Sequence, residues 1–185
     1  MLPPFLSPMV RSTSWFMKRS KLNIREVVLF GVLGALTFAL QVAMSGLPNI
    51  EPVSLLVILF AVTFGWKALY PVYVFVVMEI LFYGLGLWNV FYLYIWTVLV
   101  VAAILLRKME QPLGWAILSA VFGLLFGALC AVADVFIGGF SYAIAKWVSG
   151  IPFDIAHCAG NFVIALLLFA PLRKLMARLY AGMRS

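Results

Sequence analysis

Residues 150–162 read GIPFDIAHCAGNF, which sets an aspartate, the chain's only histidine and an asparagine three and four residues apart, at Asp154, His157 and Asn161. On a helix turning 100° per residue these side chains share an arc of about 60°. A carboxylate, an imidazole and an amide therefore face the same way. Each also has a purely structural use. An acid just after Ile151 and Pro152 stabilises a helix N-terminus whatever else it does. A histidine can bond a nearby carboxylate or carbonyl, and an asparagine can tie two helices together. Jointly the three could grip a small molecule. Asp154 and His157 could also form an acid–base pair, but no Ser or Cys nucleophile stands near His157 in an elbow motif for them to activate.

The setting makes these residues informative. The segment runs on as VIALLLFAPL, and the 185-residue chain is 66% hydrophobic and 10% charged. Soluble domains are about half apolar and a quarter charged, and a protein of this size has too little interior to hide the excess. The composition is that of an integral membrane protein. An ionisable group in hydrocarbon is costly unless it faces protein or water, so each one inside a span is a candidate for function.

Six segments approach the roughly 20 apolar residues that cross a bilayer core of ~30 Å. They cover about residues 26–46, 52–65, 68–86, 89–106, 113–137 and 151–172, the second short enough to be tilted or packed. SGLPN, GLGLWN, KMEQPLG and the stretch from GGFSY to SGIP supply turn residues between them. Arg11, Lys18, Arg19, Lys21, Arg25, Lys67, Arg107, Lys108, Arg173, Lys174, Arg178 and Arg184 fall on one side of this layout, and Lys146 alone on the other. The positive-inside rule then puts both termini in the cytoplasm. The expected fold is an all-α, six-helix transmembrane bundle over residues 26–175 in a prokaryotic plasma membrane. Residues 1–25 are expected as a cytoplasmic tail and 176–185 as a basic one. MLPPFLSPMVRSTSWFMKRSK lacks the charge-then-apolar order of a secretory signal, and either Met1 or Met17 can be the start. The net charge of +7 is accounted for by topology, without nucleic acid.

With that orientation the polar residues collect at the non-cytoplasmic end. Asp134 lies near the outer end of the fifth span, and Glu79 in the outer half of the third with Tyr83 one turn on. The connecting loops add Asn49, Glu51, Trp88 and Asn89, with Tyr92 and Tyr94 just below and Lys146 and Trp147 in the last loop. The aromatic residues among them have an ordinary reading as an interfacial belt. Polar groups converging among aromatic rings are also what a small-molecule pocket requires. Little comparable lies in the inner half, which argues against a channel. No phosphate-binding glycine loop is present. One histidine, with Cys130 and Cys158 in apolar segments, leaves no basis for a metal centre or other cofactor. Small residues recur every fourth position in the first span, at Gly31, Ala35, Ala39 and Ala43, and in the fifth, at Ala120, Gly123, Gly127 and Ala131. Such ladders let helices approach closely, within the chain or against a partner.

Three stretches, VLGALTFALQVAMSGLPNIEPVSLLVILFAVTFG, YGLGLWNVFYLYIWTVLV and WVSGIPFDIAHCAGNFVIALLLFAPL, resemble the substrate-binding S components of energy-coupling factor (ECF) transporters, a vitamin-uptake branch of ATP-driven importers. The resemblance covers about residues 26–175. It implies a six-helix bundle with a pocket capped by the outer loops and no catalysis of its own. It also implies partnership with a transmembrane coupling subunit and two cytoplasmic ATPases. In that family an Ala-x-x-x-Ala pattern on the first helix meets the coupling subunit; Ala35 and Ala39 match it here, and Gly31 and Ala43 extend it. The loaded S component is thought to topple, carrying its pocket across the membrane. Substrate contacts vary among S components, so the candidates remain those of the topology: Asn49, Glu51, Glu79, Tyr83, Trp88, Asn89, Tyr92, Asp134, Asp154, His157 and Asn161. Acids outnumber bases among them, which favours a vitamin-like ligand of amine, amide or cationic character. Lys146 could still serve a single carboxylate or phosphate, and cobalamin, a thiamine-like pyrimidine and a pterin are all compatible. The alternatives are a membrane enzyme using Asp154 and His157, or a six-helix envelope scaffold.

Overall fold

The computed structural model describes residues 22–47 and 49–184, with side chains to residue 182. The expected N-terminal tail, with Met1, Met17, Arg11, Lys18, Arg19 and Lys21, lies outside the described residues except for its last few positions. The first helix, α1 (Ile24–Ala43), begins at a capping box. The Asn23 side chain accepts from the Glu26 N–H at 2.7 Å, and the Glu26 carboxylate accepts from the Asn23 N–H at 3.2 Å. Twenty residues rise about 30 Å, one bilayer core.

The next helix, α2 (Val53–Phe64), has twelve residues and rises only about 18 Å. It ends at Gly65, whose φ of 60° suits a residue without Cβ. A 3-10 turn over Gly65–Ala68 leads into α3 (Leu69–Tyr83). The chain reverses there. Phe30 of α1 meets both Phe64, before the turn, and Tyr70, after it, with ring centroids 5.1 and 5.9 Å apart. Beyond the turn α3 runs alongside α1 in the same direction, with Phe38 against Phe82 and Tyr83.

Helix α4 (Trp88–Leu105) returns antiparallel to α3. The Tyr73 hydroxyl donates to the Leu93 carbonyl at 2.7 Å, and Trp88 meets Tyr83. The expected fifth span is interrupted at Leu125, giving α5 (Pro112–Leu124) and α6 (Phe126–Gly138). A single-residue turn at Gly139, with φ 84°, starts α7 (Phe140–Arg184).

The last helix differs most from expectation. Residues 140–150, read as loop because of GGFSY and SGIP, are helical, and so are 176–184, read as a tail. Pro152 and Pro171 lie inside the helix. Their neighbouring helices and apolar surroundings can compensate for the backbone bonds they remove, as in other membrane helices. Between α6 and the end of α7 only Gly139, where φ is positive, interrupts the helix. The far end of α7 is anchored: Tyr180 is buried against Phe64 and donates to Glu26 Oε1 at 3.2 Å.

Among the described residues five helical stretches are long and apolar enough to cross a membrane: Ile24–Ala43, Val53–Tyr83, Trp88–Leu105, Pro112–Gly138 and Phe140–Gly182. Their core contains the fully buried Leu55, Ile58, Phe60, Phe75, Ile95 and Leu99. The basic loops and the helix ends near Glu26, Lys67 and Tyr180 define one end of the bundle. At this basic end Lys67 closes on Glu26 with Nζ 2.7 Å from Oε1. The short α2 leaves the opposite, far end incomplete, and residues 44, 45, 47 and 49–51 of the 44–52 connection line the resulting recess. The connection reaches deep enough for Ile50 to pack on Gly160 of α7.

Candidate functional site

That recess is a cavity of about 220 Å³. Its wall on one side is the end of α1 with Gln41, Met44 and Ser45, followed by Asn49, Ile50 and Glu51 of the descending connection. Tyr83 of α3 and Tyr92 and Trp96 of α4 form the opposite wall, and Phe126 of α6 with His157 of α7 completes it. The apolar core of the bundle is closed, with Leu55, Ile58 and Leu99 each no more than 2% exposed.

One polar pair organises the base. His157, 4% exposed, sets Nε2 3.0 Å from Glu51 Oε1, so an imidazole N–H donates to a carboxylate across 106 residues of sequence. Both partners are held from elsewhere. Glu51 accepts from the Val53 N–H and from the Ser54 hydroxyl, the latter at 2.8 Å, and so caps α2, which has no capping side chain at Pro52. The imidazole packs edge-on against Phe126, centroids 5.1 Å apart. A carboxylate that serves a helix N-terminus and an imidazole together is fixed in position.

An aromatic ladder forms the α3–α4 side. Residues one turn apart on antiparallel helices make its rungs: Phe75 meets Trp96, and Tyr83 meets Trp88. Trp88, Tyr92 and Trp96 also contact each other in sequence along α4, at 5.3 and 5.4 Å. Glu79 occupies the middle rung, 3% exposed, with no hydrogen-bond partner at Oε1. Glu79 stands one helical turn from Phe75, which packs on Tyr92, and one turn from Tyr83, which lines the cavity. Trp96 Nε1 is likewise buried without a partner.

The cavity thus gathers Asn49, Glu51, Tyr83, Tyr92 and His157 of the expected residues, with Trp88 supporting Tyr83 and Tyr92; Glu79 is buried in α3 and does not line it. The others are engaged elsewhere. Asp154, expected at its own helix start, lies well inside α7 and instead caps α6: Oδ1 accepts from the Gly127 N–H at 3.0 Å, just past the break at Leu125. Its hydrogen bond and that of His157 go to different partners. Asn161 donates to the Ser119 carbonyl at 3.2 Å, joining α7 to α5. Asn89 accepts from the Gly86 N–H at 2.6 Å and shapes the α3–α4 turn. Asp134, 2% exposed, pairs with Lys146 at 2.8 Å, and Lys146 Nζ lies over the Phe91 ring at 4.8 Å. Tyr94 donates to the Leu129 carbonyl.

The fifth-span ladder works within the chain. A Cβ at Gly123 would come within 2.9 Å of the His157 backbone, and one at Gly127 would meet the Asp154 carboxylate. On α1, Gly31 has open space where a Cβ would be, whereas Gly34 packs on Val74 and Pro71. Cys130 and Cys158 are free thiols, half-buried.

Gln41, Ser45, Trp96 and Phe126 are cavity residues beyond the expected set. Gln41 left a signal, being an amide in the apolar run ALQVA. Phe126 left none, as one of 16 phenylalanines. The arrangement offers a fixed carboxylate–imidazole pair, buried unpaired polar atoms and aromatic faces, which together suit a flat molecule with polar edges. Comparison with protein-family models, with curated proteins and with solved structures finds no match to the chain.

Proposed function

We propose that the chain captures a small vitamin-like molecule at the non-cytoplasmic face of a prokaryotic plasma membrane, as the S component of an ECF-type importer. The observation that carries this reading is the recess beside the start of α2, lined by aromatic rings and the Glu51–His157 pair. A site of that form binds a solute and gives it no aqueous way through. Delivery then needs a partner that moves the loaded protein or works against it.

Several features support the same reading. The reversal at Gly65 divides the 31-residue stretch Val53–Tyr83 into two passes, and α5 with α6 counts as one, giving six. The basic loops at one end support cytoplasmic termini. The open space at Gly31, beside half-buried Ala35 and exposed Ala39 and Ala43, leaves part of the α1 ladder facing outward, where a coupling subunit would dock. A cavity near 220 Å³ favours a one- or two-ring molecule such as a pyrimidine or pterin over a corrinoid.

The test is purification of the full chain in mild detergent, with and without co-expressed host proteins. Mass spectrometry is expected to find a stoichiometric small molecule, and pull-down to recover a membrane subunit with two ATPases. An empty cavity together with no ATPase partner would overturn the assignment.

A further inference from the structure

The last turns of α7 pass from one helix start to another at the basic end. Phe169 stacks on Trp115 near the start of α5, centroids 5.2 Å apart, and Trp115 Nε1 donates to the Met109 carbonyl at 3.0 Å. The guanidinium of Arg173 lies over the Phe169 ring at 5.8 Å. Further along, Tyr180 packs on Phe64 and donates to Glu26 near the start of α1. Leu172, Met176 and Tyr180 thus form the face that this segment turns to the bundle, the last two each 8% exposed.

Two other stripes of the segment stay uncovered. Leu168, Leu175 and Leu179 are 45, 50 and 51% exposed, and helical geometry sets them within an arc of about 40°. One apolar stripe therefore runs from the membrane-spanning part of α7 into its basic end. Beside it Lys174 and Arg178, both exposed, stand one turn apart. Neither is in an ion pair among the described residues. No aspartate or glutamate follows Asp154 in the chain, and Glu26, the buried acid at this end, is already held by Lys67.

This pairing of stripes matches a lipid of one charge class. An acyl chain can lie along the leucines, and a phosphate at its head meets two cations without a competing carboxylate. A headgroup that carries its own ammonium gains less there, because the same two cations repel it. An acidic protein surface would meet the cations but would have to displace lipid from the leucines. We infer that the C-terminal part of α7 docks an anionic phospholipid, with an acyl chain along Leu168, Leu175 and Leu179 and the headgroup at Lys174 and Arg178. The inference is independent of what the cavity captures.

The test is native mass spectrometry of the detergent-purified full chain, given equal amounts of dioleoyl phosphatidylglycerol and dioleoyl phosphatidylcholine. These lipids share their acyl chains and differ in headgroup charge. Phosphatidylglycerol adducts are expected to exceed phosphatidylcholine adducts about tenfold. The double replacement of Lys174 and Arg178 by Gln is expected to lower that ratio to about twofold, and Arg25→Gln, at the same end but on α1, to leave it unchanged. Each single change, Lys174→Gln or Arg178→Gln, should give an intermediate ratio, so the test stands even if the double variant fails to fold. Equal adducts of the two lipids on the wild-type chain overturn the inference. So does a preference that survives the double replacement, or one that Arg25→Gln lowers as much. A double variant that keeps its lipid ratio but loses a protein recovered by pull-down also overturns it, and assigns the surface to that protein.

Discussion

Glu51 and Asp154 are both carboxylates at the N-terminus of a helix, yet the structure gives them different work. Glu51 caps α2 and also holds His157 at the cavity base. Asp154 caps α6 from a neighbouring helix and does not line the cavity. Substitution should separate the two. Glu51→Gln keeps an acceptor for the cap but loses the charge facing His157, so affinity for the co-purified molecule is expected to fall about tenfold with little change in thermal stability. Asp154→Ala is expected to cost about 1 kcal/mol of stability, read as a lower unfolding midpoint in detergent, with affinity unchanged. Equal losses of binding in both variants would refute this division. The spacing of Asp154, His157 and Asn161 predicts a shared direction, and in the structure they bond to Gly127, Glu51 and Ser119 respectively. Helical periodicity gives a side chain's direction but not its partner, and their three partners are far apart in sequence.

At the scale of elements, the length of α2 makes the site. A full-length second helix would lift the 44–52 connection to the end of the bundle and leave no recess, whereas twelve residues leave the connection inside it. The opposite wall depends on how closely α5 and α6 approach α7, which Gly123 and Gly127 permit. Gly127→Leu should force the helices apart and cost about 2 kcal/mol or more, detected as a lower unfolding midpoint. Gly31→Leu enters open space and should leave that midpoint unchanged, while weakening recovery of the proposed coupling subunit. The reverse pattern would mean that the α1 ladder, not the α5–α6 one, is the internal packing face. The short second span was legible from the apolar run between Pro52 and Gly65. The continuity of α7 through SGIP was not, because proline and glycine signal turns in water, while a helix packed in an apolar setting has no solvent to take over its backbone bonds.

For the whole molecule, charge is divided between the two ends. The basic loops lie at one end, where Glu26 joins Lys67 and Tyr180; the cavity opens toward the other. With Cys130 and Cys158 replaced by serine, a single cysteine at Gly46 should react with an impermeant maleimide on intact cells. One at Lys108 should react only after permeabilisation. The opposite labelling would invert the topology and place the cavity on the cytoplasmic side. What the sequence by itself determined was of the kind that composition and period can carry: a helical chain for a membrane, the basic end, and the polar residues belonging to the far end. Only the tertiary structure decided which of those residues share a hollow. Glu51 meets His157 because a short helix draws its preceding loop down against α7, and Asp134 is absent from the site because Lys146 reaches it first. Both outcomes depend on distances between helices remote in sequence, and no local pattern of residues encodes those distances.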